Sequence, residues 1–232
     1  MSAPAAPPDL HGILVIDKPL GMTSMRVVER VRYRAAKART GHAGTLDPLA
    51  TGVLVVAIGR ATKSIDRLMA GEKRYETTID LSAFTTTDDN EGERTEVASP
   101  APTLEAVRDA CSRWVGEVMQ RPPAFSAIKV QGRRSYDLAR SGEARELAAR
   151  PVMIHGIEID AYDFPILSLR VHCGKGTYIR SLARDLGTAL GTGGHCRSIR
   201  RTQVGIYDIG QAIRMDDLPE SIVQEMLLPL PA

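Results

Sequence analysis

No apolar run in this 232-residue chain approaches the roughly 18 residues that a membrane-spanning helix needs, which excludes an integral protein of that kind. The start, MSAPAAPPDL, has no basic region followed by an apolar core. It therefore lacks the pattern of a secretory signal, and residues 1–10 read as a Pro/Ala-rich disordered tail. Cysteine is scarce: Cys111, Cys173 and Cys196 are odd in number and far apart, which argues against a disulfide framework and suits reduced thiols in the cytoplasm. Internal repeats and coiled-coil heptads are absent as well. Two tempting motifs fail on spacing. GRATKS (Gly59 to Ser64) lacks the glycines that a nucleotide loop places six residues before and directly before its lysine; Ala57 and Thr62 stand there. The adjacent pairs His172-Cys173 and His195-Cys196 cannot easily converge on one metal, because neighbours on a strand point to opposite faces. Neither a nucleotide loop nor a metal site is expected from these motifs.

What is present is ordinary in bulk, with 43% hydrophobic and 25% charged residues, and the length suits one catalytic domain with a large insertion. The formal net charge of +2 hides strong segregation. Between Arg26 and Arg39 six basic residues face one acid, between Arg121 and Arg150 seven face three, and between Arg170 and Arg201 seven face one. Glu76 to Glu105 carries eight acids and only Arg94. Three basic segments suit a polyanion partner if they converge, or three solvated faces if they do not.

The periodicities predict a strand at GILVID and then a helix capped by Ser24, with Val27, Val28, Val31 and Ala35 inward. After a glycine-rich loop come a strand at VLVVAIG, a helix at ATKSIDRLMAG and a strand at KRYETTIDLS. A polar loop, TTTDDNEGE, precedes an amphipathic helix over TLEAVRDACSRWVGE capped by Thr103. RPPAFSAIKVQGRRSYDLARSGEA has little apolar periodicity and reads as an excursion from the core. Strands at PVMIHGIEIDAYD and ILSLRVHCG follow, then a helix at TYIRSLARDLGTALG and a strand at HCRSIRRTQVGIYDI. This mixture says α+β: a mixed, largely antiparallel central sheet flanked by helices and loops.

Within that frame Asp47 sits in GHAGTLDPLATGVL, held extended by Pro48 and surrounded by small residues that leave room for something bulky. Taken alone it is better explained as a turn-forming acid. Likewise Tyr178, Arg180 and Tyr75 taken singly suit packing or surface roles.

The segments GHAGTLDPLATGVL, KRYE, RPPAFSAIKVQGRRSYDLAR and GTYIRSLARDLG, in that order, together with GILVIDKPLGMTS, resemble the TruB family, the bacterial tRNA pseudouridine-55 synthases. The similarity runs from about Gly12 to Ile209. It implies the pseudouridine synthase fold with an RNA-binding insertion, and a cytoplasmic isomerase that turns a uridine of the tRNA T stem-loop into pseudouridine without cofactor or metal. Asp47 matches that family's catalytic acid, which can act as a nucleophile in a water-poor site. Arg180 matches the arginine that pairs with the acid, a guanidinium fork able to keep it charged and aimed. Tyr75 matches the tyrosine that stacks on the target base and is the candidate base for the C5 proton. Tyr178 and Ile199 match pocket residues, Ile199 standing where leucine is usual. His42 matches the histidine that fills the gap left by the extruded nucleotide. Lys18 lies in the KP turn, and Asp89 matches a loop acid that organises the site.

The resemblance divides the chain into a catalytic domain at 11–210, with its insertion at about 121–152, and a short C-terminal stub at 211–232 without a full PUA domain. Weaker and more salt-sensitive tRNA binding is the expectation from that stub. A monomer is expected. Two other readings stand beside this one: a catalytically inactive tRNA-binding or chaperone module, and a pseudouridine synthase for another RNA.

Overall fold

The computed structural model of the chain describes residues 9–125, 129–130, 133–134 and 147–230. The elements are β1 (Gly12–Lys18), α1 (Ser24–Arg34), β2 (Thr40–His42), β3 (Ala50–Ile58), α2 (Ile65–Ala70), β4 (Lys73–Asp80), β5 (Ala83–Thr85) and β6 (Arg94–Glu96). Then come α3 (Leu104–Ser112), β7 (Gly116–Gln120), β8 (Lys129–Val130), β9 (Arg133–Arg134), β10 (Arg150–Asp163) and β11 (Ile166–Cys173). The last are α4 (Ile179–Leu190), β12 (His195–Val204), β13 (Tyr207–Asp208) and β14 (Ile213–Arg214). The α+β class read from the sequence holds. Among the described residues no helix is long and apolar enough to cross a membrane.

The chain forms two compact units, residues 1–75 with 200–232 and residues 76–199, so that β4 and β12 each pass from one into the other. In the first unit the strand order is β14-β1-β3-β12, with β2 on β3 and β13 on β12. β1 lies antiparallel to β3 from Gly12 opposite Ile58 to Lys18 opposite Gly52. It lies parallel to β14, which makes the sheet mixed. The core here is built from inward residues of the sheet, including Ile13, Val15, Val53, Val55, Ala57, Val204 and Tyr207, closed by Ala61 and Leu68. Helix α1 buries Val27, Val28 and Val31, as its apolar stripe predicts.

Its cap differs from expectation. Thr23 is the N-cap, its side chain accepting from the Arg26 amide, and Ser24 is the first helical residue. The hydroxyl of Ser24 is thereby left for a longer-range task.

In the second unit the order is β12-β4-β11-β10-β7. Antiparallel β10 and β11 bury Ile154, Leu167, Leu169, Val171 and Cys173. Helix α4 places Ile179, Leu182, Ala183 and Leu186 inward, the face read from the sequence. Helix α3 keeps its Thr103 cap, but it stops at Ser112 and not near Glu117. Residues 116–120 become β7 instead, paired with β10 from Gly116 opposite Ile154 to Gln120 opposite Arg150. Five paired ladder positions outweigh a last helical turn that would bury little. The ends of the expected polar loop pair as a short β5–β6 hairpin.

Most of the expected RNA-binding insertion, residues 126–128, 131–132 and 135–146, lies outside the described residues, as do residues 1–8 of the expected tail. The three cysteines are buried and none forms a disulfide.

Candidate active site

The loop joining β2 to β3 carries Asp47, half-buried, and its backbone is anchored on all sides. Lys18, fully buried at the end of β1, donates from Nζ to the carbonyls of Pro19 (2.9 Å), Met22 (2.7 Å) and Pro48 (3.3 Å). The Pro48 carbonyl also accepts from the Gly21 amide at 2.8 Å. One residue before Asp47, the Leu46 carbonyl accepts from Ser24 Oγ at 2.9 Å, and the Leu46 amide donates to the same oxygen at 2.8 Å.

Arg201, on β12 and 2% exposed, holds the far side of the loop. Its guanidinium donates to the carbonyls of Val53 (2.8 Å), Gly44 (3.1 Å) and Thr45 (3.5 Å). Behind it, Gly52 has φ +98°, and a Cβ there would sit 2.1 Å from the Arg201 carbonyl oxygen, so only glycine lets β3 approach β12 this closely.

The charges under this loop act on one another. Burial pulls the Lys18 ammonium down to about 8, with Asp47 opposing the fall and Arg201 adding to it. Burial and then the Arg201 charge also lower His42 below its ordinary value, so its imidazole is neutral at pH 7. His42 is half-buried at the end of β2. Tyr75, also half-buried, is the third residue of β4.

The remaining expected residues belong to the second unit. Arg180, the second residue of α4, is 4% exposed. It donates to the Thr87 carbonyl (2.9 Å), the Asp89 carboxylate (3.2 Å) and the Phe125 carbonyl (2.8 Å). Asp89 is itself oriented by the Thr87 hydroxyl and by the Glu91 amide at 2.9 Å. One turn further along α4, Arg184 repeats the device, donating to Asp88 (2.7 Å) and to the Arg121 carbonyl (2.8 Å). Burial outweighs that guanidinium and pushes Asp88 up to about 6.

Tyr178 caps α4, and its backbone is gripped by Gln120: the Tyr178 amide donates to Oε1 at 2.8 Å and Nε2 donates to the Tyr178 carbonyl at 3.1 Å. The Arg150 guanidinium lies 5.3 Å from the centre of the Tyr178 ring. Ile199, 6% exposed, ends this unit on β12.

Thus Lys18, His42, Asp47 and Tyr75 belong to the first unit, and Asp89, Tyr178, Arg180 and Ile199 to the second. Sequence reading missed Ser24, Arg201, Gln120 and the Asp88–Arg184 pair. A signal existed for Arg201. In IRRTQV the strand period puts Arg201 on the face of Ile199, both buried, while Arg200 alternates outward to pair with Asp17 at 2.8 Å.

Residues 32–179 match the family model described as TruB family pseudouridylate synthase (N terminal domain). Residues 180–230 match the model of the tRNA pseudouridylate synthase B C-terminal domain. The chain belongs to the TruB family. Among TruB relatives, the tRNA pseudouridine synthase B of Mycobacterium tuberculosis is 50% identical over 214 residues, covering 90% of this chain and 72% of that protein. Those of Corynebacterium efficiens and Bradyrhizobium diazoefficiens are each 47% identical over 90% of this chain, spanning 72% and 61% of their own lengths. Among solved structures, a chain of a Cbf5-Nop10-Gar1 complex superposes with a TM-score of 0.70 at 30% identity, covering 89% of this chain and 53% of its own. A chain from an H/ACA RNP bound to a substrate RNA containing 2′-deoxyuridine gives 0.67 at 26%, covering 92% and 58%. Of the residues that the TruB resemblance singles out, all except Lys18 fall inside the two matched ranges.

Proposed function

We propose that this chain isomerises uridine to pseudouridine in tRNA, at the T-loop position that the TruB resemblance implies, with Asp47 as the reacting acid. The reaction breaks the N1–C1′ bond and makes a C5–C1′ bond, while C5 loses a proton and N1 gains one. Atoms and electrons balance without oxidant, reductant or cofactor.

One observation carries the reading most: the Asp47 carboxylate stands on a loop whose flanking peptides are fixed by the buried side chains of Lys18, Ser24 and Arg201. A turn-forming acid needs no such support. A reacting carboxylate does, because preorganised groups supply most of the rate. In this reading Arg180 pairs with Asp47, Tyr75 stacks on the target base and takes the C5 proton, and Tyr178 and Ile199 line the pocket. A neutral His42 suits stacking into the place of an extruded nucleotide, which recovers part of the few kcal/mol that unstacking costs. The isomerase begins at about residue 11 and includes residues 211–230, which belong to the same compact unit as Asp47; the segment at 121–152 grips RNA, and the enzyme acts as a cytoplasmic monomer.

The test is tritium release from tRNA labelled at uridine C5. Asp47→Asn is expected to abolish release, a fall of about 10³-fold or more in kcat, while leaving tRNA affinity within about threefold. Substantial turnover by that variant removes Asp47 from its role. Release from T-arm stem-loops compared with other stem-loops identifies the RNA.

A further inference from the structure

Asp47 is flanked by peptides that bond to buried side chains from two distant parts of the chain. On its N-terminal side Ser24 closes a two-point clasp on Leu46, donating to the carbonyl and accepting from the amide. Ser24 is free to do so because Thr23 caps α1. Arg201 comes from the opposite end of the sequence and holds the carbonyls of Gly44, Thr45 and Val53. All three of its described hydrogen bonds end on main-chain oxygens. A buried guanidinium is costly to desolvate unless its donors are used, so this cation is kept for what it holds.

We infer that Ser24 and Arg201 are positioning residues that set the Asp47 carboxylate, so that the rate of the chemical step depends on them while RNA affinity does not. This rests on the reading of Asp47 as the reacting acid. Neither side chain needs to touch RNA. Each acts by removing freedom from the three residues before Asp47, where a displacement of about 1 Å at a reacting group costs on the order of a hundredfold in rate.

The test uses the full chain carrying S24A or R201K, assayed below the melting temperature of each. S24A is expected to lower kcat about tenfold with KM for tRNA within about twofold, because the loss falls on an interaction used at the reacting centre. R201K keeps the charge but lacks the planar fork that reaches Val53 through Nε and Gly44 and Thr45 through the two terminal nitrogens, and it is expected to lower kcat about a hundredfold. Hydrogen exchange gives a readout without turnover: in S24A the Leu46 amide is expected to exchange at least about tenfold faster while amides within β1 and β3 are unchanged. A folded S24A protein with kcat within twofold of wild type, or with its loss in KM alone, overturns the inference, as does unaltered exchange at Leu46. If R201K does not fold, S24A decides. If Asp47→Asn keeps turnover while Leu46 exchange in S24A rises, the clasp stands and the assignment of Asp47 is what fails.

Discussion

Lys18 shows how one side chain ties the charge of a site to its shape. An ammonium has three N–H donors, and all three go to carbonyls, at Pro19, Met22 and Pro48. A neutral amine has only two. Since burial pulls this group down to about 8 from 10.5, the hold on Pro48 weakens in mildly alkaline solution. The expected outcome is a kcat that falls above pH 8 with little change in KM. The sign for stability is opposite. Between about 8 and 10.5 the unfolded chain binds the proton and the native chain does not, so native stability gains from this group as pH rises through that window. An NMR titration of the Lys18 side chain checks both. A midpoint near 10.5 would break the link between this lysine and any alkaline loss of rate.

At the scale of elements, most of the framework was legible because apolar period and strong caps coincide. The strand at Gly12–Lys18, the stripe of α1 and the inward face of α4 all follow from spacing. Two errors share one physical cause, which is that local propensity cannot see tertiary partners. Ser24 has the chemistry of a cap, yet its hydroxyl is taken by Leu46, twenty-two residues away. Gly116 and Glu117 read as the end of a helix, yet residues 116–120 are claimed by pairing with β10, far downstream. The family was legible through its motifs, GHAGTLDPLATGVL and GTYIRSLARDLG above all. The residues that hold the Asp47 loop and the Tyr178 backbone were harder to read, because Arg201 and Gln120 act on backbone atoms, and strand alternation marks Arg201 as inward without saying what it holds. Gly187 illustrates the same conflict in energetic terms. Propensity alone says that Gly187→Ala in α4 should stabilise by about 1 kcal/mol. A Cβ there would sit 2.2 Å from the Gly193 carbonyl oxygen, against backbone that cannot swing aside. Overpacking of this kind costs about 3 kcal/mol or more, so net destabilisation is expected as a lower denaturant midpoint. A raised midpoint would show that the turn at 192–194 yields freely.

For the molecule as a whole, β1 meets residues 213–228, about two hundred positions later, in the first unit. β1 has β3 on one side, and on the other it is covered by β14 and by Leu228, whose amide and carbonyl both bond to Ile13 at 2.8 Å. The segment reaches further, with the Ile222 amide on the Arg34 carbonyl of α1 at 2.9 Å and the Tyr207 hydroxyl on the Pro229 carbonyl at 3.2 Å. Met215, Ile222 and Leu227 are buried. Residues 211–230 are therefore structural staples of the unit that carries Asp47. Burying three such side chains contributes about 5 kcal/mol in all, comparable with the whole net stability of a domain. Removing residues 212–232 would also strip one edge of β1, whose last residue is Lys18, and leave an unpaired strand edge prone to aggregation. The truncated chain is expected to be insoluble, or to melt at least about 5 °C lower with its activity lost. The milder Ile222→Ala should cost about 2–4 kcal/mol by denaturant unfolding while sparing kcat at low temperature, since the strand pairing survives. A truncated protein that stays soluble, melts like the full chain and keeps turnover would mean that β1 and the Lys18–Asp47 site hold without this cover.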